Sequence, residues 1–275
     1  MEGTLYMEEK DRERTDGKEM DSEEELELKD AEKEAFEVKV DIEAAKLPEE
    51  PSFVVISSQG CSEALFKIAF DQDLVEVGKV QVEQKEKTHD CLKVFALKGL
   101  ILIQVDGSLQ SSFCPAIVEQ LWAILKAKKA LNCIVGFQTL YKTMYTTGEG
   151  GHLQIDQEQP LPIKYITTSF AKEGGTLKKF FGLKLSQVAL DNQFNFVGGL
   201  MGAFLVQSEM EGVEAAAFKV IVDEHRVTSE SLRGYQPLLQ HLLGFKSVNL
   251  DEVHQFRQFR PVLKEMNAKA NSIFN

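Results

Sequence analysis

The stretch Leu100–Phe137, LILIQVDGSLQSSFCPAIVEQLWAILKAKKALNCIVGF, decides the fold. It opens on an apolar run that stops at an Asp106-Gly107 turn, as a short strand does. Pro115 then begins an amphipathic helix. Ile117, Leu121, Ile124 and Leu125 share one face of it. Lys126, Lys128 and Lys129 gather at its C-terminal end, where cations complement the helix dipole. Asn132 stops the helix, and Cys133–Phe137 supplies another apolar strand. Strand, helix and strand in succession are the signature of an α/β fold with a largely parallel sheet.

Working toward the N-terminus, CLKVFALKGLILIQVDGS (Cys91–Ser108) reads as two strands near a turn at Lys98-Gly99, and Val75–Val82 alternates as a half-exposed strand. SEALFKIAF reads as a helix behind a Ser62 cap, and Phe53–Ile56 as a strand buried on both faces. Toward the C-terminus, residues 142–160 are polar and rich in glycine and read as a long mobile loop. LPIKYITTSF follows, then a polar loop through Gly174-Gly175. FNFVGGLMGAFLVQSEMEG is a very apolar helix whose glycines invite close packing, and Ala215–Glu224 is one more buried strand. TSESLRGYQPLLQHLLGF and DEVHQFRQFRPVLKEMNAKAN read as two closing helices, each begun by a polar cap and interrupted by proline. The expected architecture is a mostly parallel central sheet flanked by helices. No internal repeat is present and no linker divides the chain after residue 51, so residues 51–275 are expected to form a single domain.

Before that domain the composition changes. Residues 1–50 hold 20 acidic against 8 basic side chains, which accounts for the whole formal net charge of −12. With few aromatics and no apolar period, they are expected to form a disordered acidic tail, either a solubilising extension or an arm that reaches a basic surface or pore on a partner. The remainder is neutral and has no basic stripe, which argues against nucleic acid. No apolar run approaches the roughly 20 residues that cross a membrane. Cys61, Cys91, Cys114 and Cys133 are scattered, with no CxxC pair and no histidine at ligand spacing. That pattern fits reduced thiols in the cytosol or nucleus and argues against a disulfide framework or a metal site.

No catalytic constellation emerges. FVGGLMG lacks the GxGxxG spacing of a dinucleotide turn and reads instead as close helix packing inside an apolar helix. The loop glycines Gly148, Gly150 and Gly151 are not followed by a P-loop lysine, there is no GxSxG elbow, and the five histidines form no HExxH. No cofactor is expected.

The ending, KANSIFN, is unusual for a chain terminus because an apolar pair, Ile273 and Phe274, stands just before Asn275. Capture of a C-terminal carboxylate beside an apolar anchor is a recurring recognition mode, and an aromatic ring can bury roughly 150–250 Å². Packing of Ile273 and Phe274 back onto the protein's own core is the alternative.

PVLKEMNAKANSIFN resembles the ending of the proteasome assembly chaperone 1 family, which includes the fungal Pba-type chaperones, and TSESLRGYQPLL resembles a helix of the same family. NCIVGFQTLYKTMYTT with LPIKYITTSF, and FNFVGGLMGAFLVQSEMEGVEAAAFKVIV, match its elements in order and character from about residue 130 onward. The resemblance implies a phosphorylase-like α/β sandwich and a non-enzymatic role. It implies a heterodimer with a homologous subunit (proteasome assembly chaperone 2) that binds the α ring of the 20S core particle during assembly. It also implies a C-terminal hydrophobic-tyrosine-any (HbYX) motif that inserts between α subunits, here Ile273, Phe274 and Asn275. Phe274 departs from the motif's tyrosine, which removes any hydroxyl bond worth about 0.5–1.5 kcal/mol. Two other readings stand beside it: a small-molecule enzyme on the same fold, and an adaptor that docks its C-terminus on a different ring.

Overall fold

The computed structural model describes residues 36–51, 53–58, 60–70, 73–85, 87–97, 99–107, 109–141, 163–173, 177, 188–190, 197–222, 227–235, 238, 261–262, 264–265 and 267–268. Among the described residues, nine strands form one sheet: β1 (Phe36–Ile42), β2 (Phe53–Ser57), β3 (Val75–Gln84), β4 (Lys87–Leu97), β5 (Leu100–Val105), β6 (Cys133–Tyr141), β7 (Ile163–Thr167), β8 (Val188–Leu190) and β9 (Glu214–Val222). Their order across the sheet is β1-β3-β4-β5-β2-β6-β9-β7-β8. Helices among the described residues include α1 (Cys61–Phe70), α2 (Cys114–Ala127), α3 (Phe170–Glu173), α4 (Gly199–Glu211) and α5 (Ser229–Arg233).

The expected parallel sheet is its centre. The unit β5–α2–β6 straddles β2, which pairs in parallel with both neighbours, and β6 continues in parallel with β9 from Cys133↔Glu214 to Tyr141↔Val222. Covered on both faces, β9 is buried along almost its whole length. Toward one edge the pairings are antiparallel, β3, β4 and β5 forming a meander with β1 added along β3; toward the other, β7 runs against β9 and β8 lies parallel to β7. Tight turns dictate this for β3–β4 and β4–β5, since such a turn joins only antiparallel strands. The side chains of β2 alternate between two cores. Val55 joins the cluster beneath α1 and α5, while Val54 and Ile56 join the cluster beneath α2 and α4.

The domain begins earlier than its composition suggests. Residues 36–50 were expected to belong to the disordered tail, yet β1 pairs with β3 in unbroken register from Phe36↔Gln84 to Ile42↔Gly78. In FEVKVDI, Val38, Val40 and Ile42 face the sheet while Glu37, Lys39 and Asp41 face solvent. Next, Glu49 and Glu50 pair with Lys128 (2.6 Å) and Lys129 (3.0 Å) at the end of α2. The expectation of disorder for residues 1–35, the 142–160 loop and most of the two closing helices lies outside the described residues. Among the described residues, no helix is long and apolar enough to cross a membrane.

Candidate functional site

The three C-terminal residues singled out from the sequence, Ile273, Phe274 and Asn275, lie outside the described residues. The segment that leads to them is anchored at three points. Pro261, Val262, Lys264, Glu265, Asn267 and Ala268 are helical, and Val262 packs against the core beneath α1. Glu265 lies 3.4 Å from Lys67 of α1, whose ammonium also meets the buried Glu63 at 3.1 Å. The Asn267 amide closes a two-way bond with one residue: its Oδ1 accepts from the Val227 N–H at 2.9 Å, and its Nδ2 donates to the Val227 carbonyl at 3.4 Å. Thr228 caps α5, accepting from the Ser231 N–H, while Ser231 Oγ accepts from the Thr228 N–H. The terminal segment is thus held against α1 and against Val227, just ahead of α5.

In α/β sheets of this kind, small-molecule sites lie at the carboxyl ends of parallel strands. Here that position holds a closed polar cluster. Ser57 donates to Ser62 Oγ at 3.0 Å, Ser62 to the Ser58 carbonyl at 2.6 Å, and Ser58 to the Phe137 carbonyl at 3.1 Å. Ser62, expected to cap α1, therefore lies inside its first turn and bonds backwards. Beside it, the hydroxyls of Thr139 and Tyr235 meet at 2.5 Å. Burial pushes the Cys61 thiol up, against the opposing pull of hydrogen bonds with Ser231 and Thr139. Burial likewise raises Tyr235 well above its ordinary value, with Cys61 a further cause, and raises Tyr141. These shifts favour the protonated forms, the opposite of what an activated nucleophile requires.

The opposite face of the sheet carries α2 and α4 side by side. Trp122 and Phe204 meet at a centroid distance of 6.2 Å, and Lys126 pairs with Glu211 at 3.3 Å. Val197–Gly202 of the FVGGLMG stretch lie at the start of α4, with Gly198 as its N-cap, and not within an uninterrupted helix. The close packing expected of it is present. A Cβ on Gly136 of β6 would lie 2.0 Å from Met201 Sδ, and one on Gly202 would lie 2.3 Å from the Val197 carbonyl oxygen. An open apolar groove of about 350 Å³ runs between the N-terminal halves of the helices, lined in part by Cys114, Pro115, Val118, Gly199, Ala203 and Val206. Val206 in its wall and Met210 beyond it are 62% and 77% exposed.

Sequence reading missed two features. Lys219 of β9 is 1% exposed and opposes Lys164 of β7 in register, with Gln138 of β6 on its other side. Its place within AAAFKVIV gives the only sequence hint. The exposure of Val206 and Met210 was hidden because the polar residues of α4 cluster in its last turns instead of along one face, so no periodicity distinguishes its outer side. All four cysteines are free and buried, and the described residues contain no cluster of metal-ligating side chains.

No family model and no curated protein matches the sequence. Solved structures do match the fold. A Pyrococcus furiosus protein described as PbaA, an archaeal homolog of proteasome-assembly chaperone, aligns with TM-score 0.58 at 14% identity, over 87% of this chain and 100% of its own. A Thermoplasma acidophilum protein of unknown function gives 0.59 at 10% identity, over 85% and 89%. Pyrococcus furiosus PbaB, described as an archaeal proteasome activator, gives 0.55 at 9% identity, over 88% and 100%. The chain has the fold of these proteins.

Proposed function

We propose that this protein is a non-catalytic proteasome assembly chaperone, paired with a homologous subunit of the same fold, that binds the α ring of the core particle while it assembles. The observation that carries the reading is the fold shared with PbaA over nearly the whole of both chains. The sequence adds Ile273, Phe274 and Asn275 as a docking terminus between α subunits, with the apolar pair filling a pocket and the terminal carboxylate held by donors. The anchoring at Val262, Glu265 and Asn267 supports this, because it fixes the origin of the final residues and lowers the entropy lost on docking. The hydrogen bonds that close Ser57, Ser58 and Ser62 on one another at the strand ends favour a binding protein over a small-molecule enzyme, which needs open polar groups there. An intracellular site of action follows from that role.

The test follows α rings through assembly. Purified α-ring intermediates are incubated with the protein and its same-fold partner and followed by native electrophoresis. Suppression of ring dimers, with the pair co-migrating with single rings, is expected. Ring dimers formed at an unchanged rate, with no co-migration, would exclude the reading.

A further inference from the structure

We propose that Tyr235 is a positioning residue for the terminal segment: its hydroxyl, bonded to Thr139 of β6, fixes α5 on the sheet and through α5 sets where Asn267 is held. The consequence for binding rests on the docking role proposed above; the placement itself does not. With five residues, α5 is far too short to hold a helical shape alone, so contacts with the rest of the fold must place it. Tyr235, just past its end, supplies two. The ring is fully buried and meets Phe137 of β6 edge-on at a centroid distance of 6.2 Å. The hydroxyl meets that of Thr139 at 2.5 Å, further along the same strand. Burial of the ring holds α5 down but carries no direction. The hydroxyl supplies direction, because a hydrogen bond weakens steeply away from its preferred angle.

From Tyr235 an unbroken run of bonds leads to the terminal segment. The Tyr235 N–H donates to the Leu232 carbonyl at 3.0 Å, and the Leu232 N–H to the Thr228 carbonyl at 3.1 Å. The Thr228 N–H donates to Ser231 Oγ at 2.8 Å, and the neighbouring Val227 N–H to Asn267 Oδ1 at 2.9 Å. Val227, Leu232 and Tyr235 belong to one buried cluster, against which Val262 of the terminal segment also packs. A shift of α5 on the sheet therefore moves the Val227 backbone against Asn267. A second polar tie, between Lys67 of α1 and Glu265, is half-exposed, and water weakens such a pair. Placement of the terminal segment is thus governed by the Asn267 bonds, and these by the seating of α5.

The experiment reads the amide proton shift of Val227 by NMR in the full chain. In the native state this shift follows the length of the bond to Asn267, and a loss of overall stability leaves it in place. Asn267→Ala marks the shift of the broken bond. Tyr235→Phe, which deletes the hydroxyl and keeps the ring, is expected to move Val227 part-way toward that mark, and Thr139→Val, which breaks the same bond from the strand side, to do the same. In an Asn267→Ala background neither should move Val227 further, which removes any direct effect of the exchanged side chain. A Val227 shift that stays at its wild-type value in both variants, beside a lowered melting temperature, would make Tyr235 a stabilising residue only and overturns the proposal. Binding to α rings is then compared in the full chain and in one lacking Ile273–Asn275. Tyr235→Phe should weaken the first roughly two- to tenfold, the range that loss of one hydrogen bond allows, and leave the second unchanged. A displaced Val227 with unaltered ring binding would uphold the positioning and overturn the docking role of the terminus.

Discussion

Asn267 meets both the N–H and the carbonyl of Val227 with a single amide. Replacing it with alanine leaves these backbone groups without that partner, a loss of about 1–3 kcal/mol. Asn267→Ala should therefore lower the urea midpoint with an unchanged slope, and weaken ring binding by freeing the terminal segment. Binding unchanged beside a lowered midpoint would separate the anchor from the docking role. The buried thiols make a second prediction at this scale. Burial raises all four, Cys91 to about 11. The folded state then holds its thiol protons more tightly than the unfolded one, so stability is full below the ordinary thiol value and falls as pH rises toward 11. Melting temperature should decline across that window, and a flat profile would contradict it. The sequence revealed that these cysteines are unpaired, and it marked the KANSIFN ending. It concealed the Asn267–Val227 bond, because a contact across forty residues leaves no local pattern.

At the scale of elements, α4 approaches β6 closely enough that Gly136 has room for no Cβ beside Met201. Gly136→Ala should cost about 1–3 kcal/mol, the usual penalty for overpacking a well-filled core. Much of it should disappear in a Met201→Ala background, and a double-mutant cycle reads the coupling directly. Additive costs would mean that the two residues do not press on each other. The helices and central strands were legible because α2 is amphipathic and the parallel strands are continuous apolar runs. Strand β1 is concealed in the sequence, because Glu37, Lys39 and Asp41 sit among its alternating apolar residues and an acidic composition reads as disorder. Those charges mark a solvent face. Strand β8, only three residues long, is too short to carry a pattern.

For the whole molecule, the parallel centre followed from the order of strands and helices, whereas the antiparallel flanks depend on pairings that composition does not encode. The domain therefore starts at β1, and two N-terminal deletions should differ. Removing residues 1–35 should leave the melting temperature unchanged, whereas removing 1–45 uncovers the edge of β3 and should lower it. If the acidic segment also steers the protein toward a basic pore, the shorter deletion should flatten the salt dependence of ring binding, since exposed charges are screened within about 8–10 Å at physiological ionic strength. The central claim is that Ile273, Phe274 and Asn275 dock on the α ring. The most direct measurement compares the full chain with one lacking these three residues, each co-expressed with its same-fold partner, for binding to isolated α rings. The account predicts that binding drops sharply while the pair stays intact. Equal binding by both chains would contradict it and leave Ile273 and Phe274 as part of the protein's own packing.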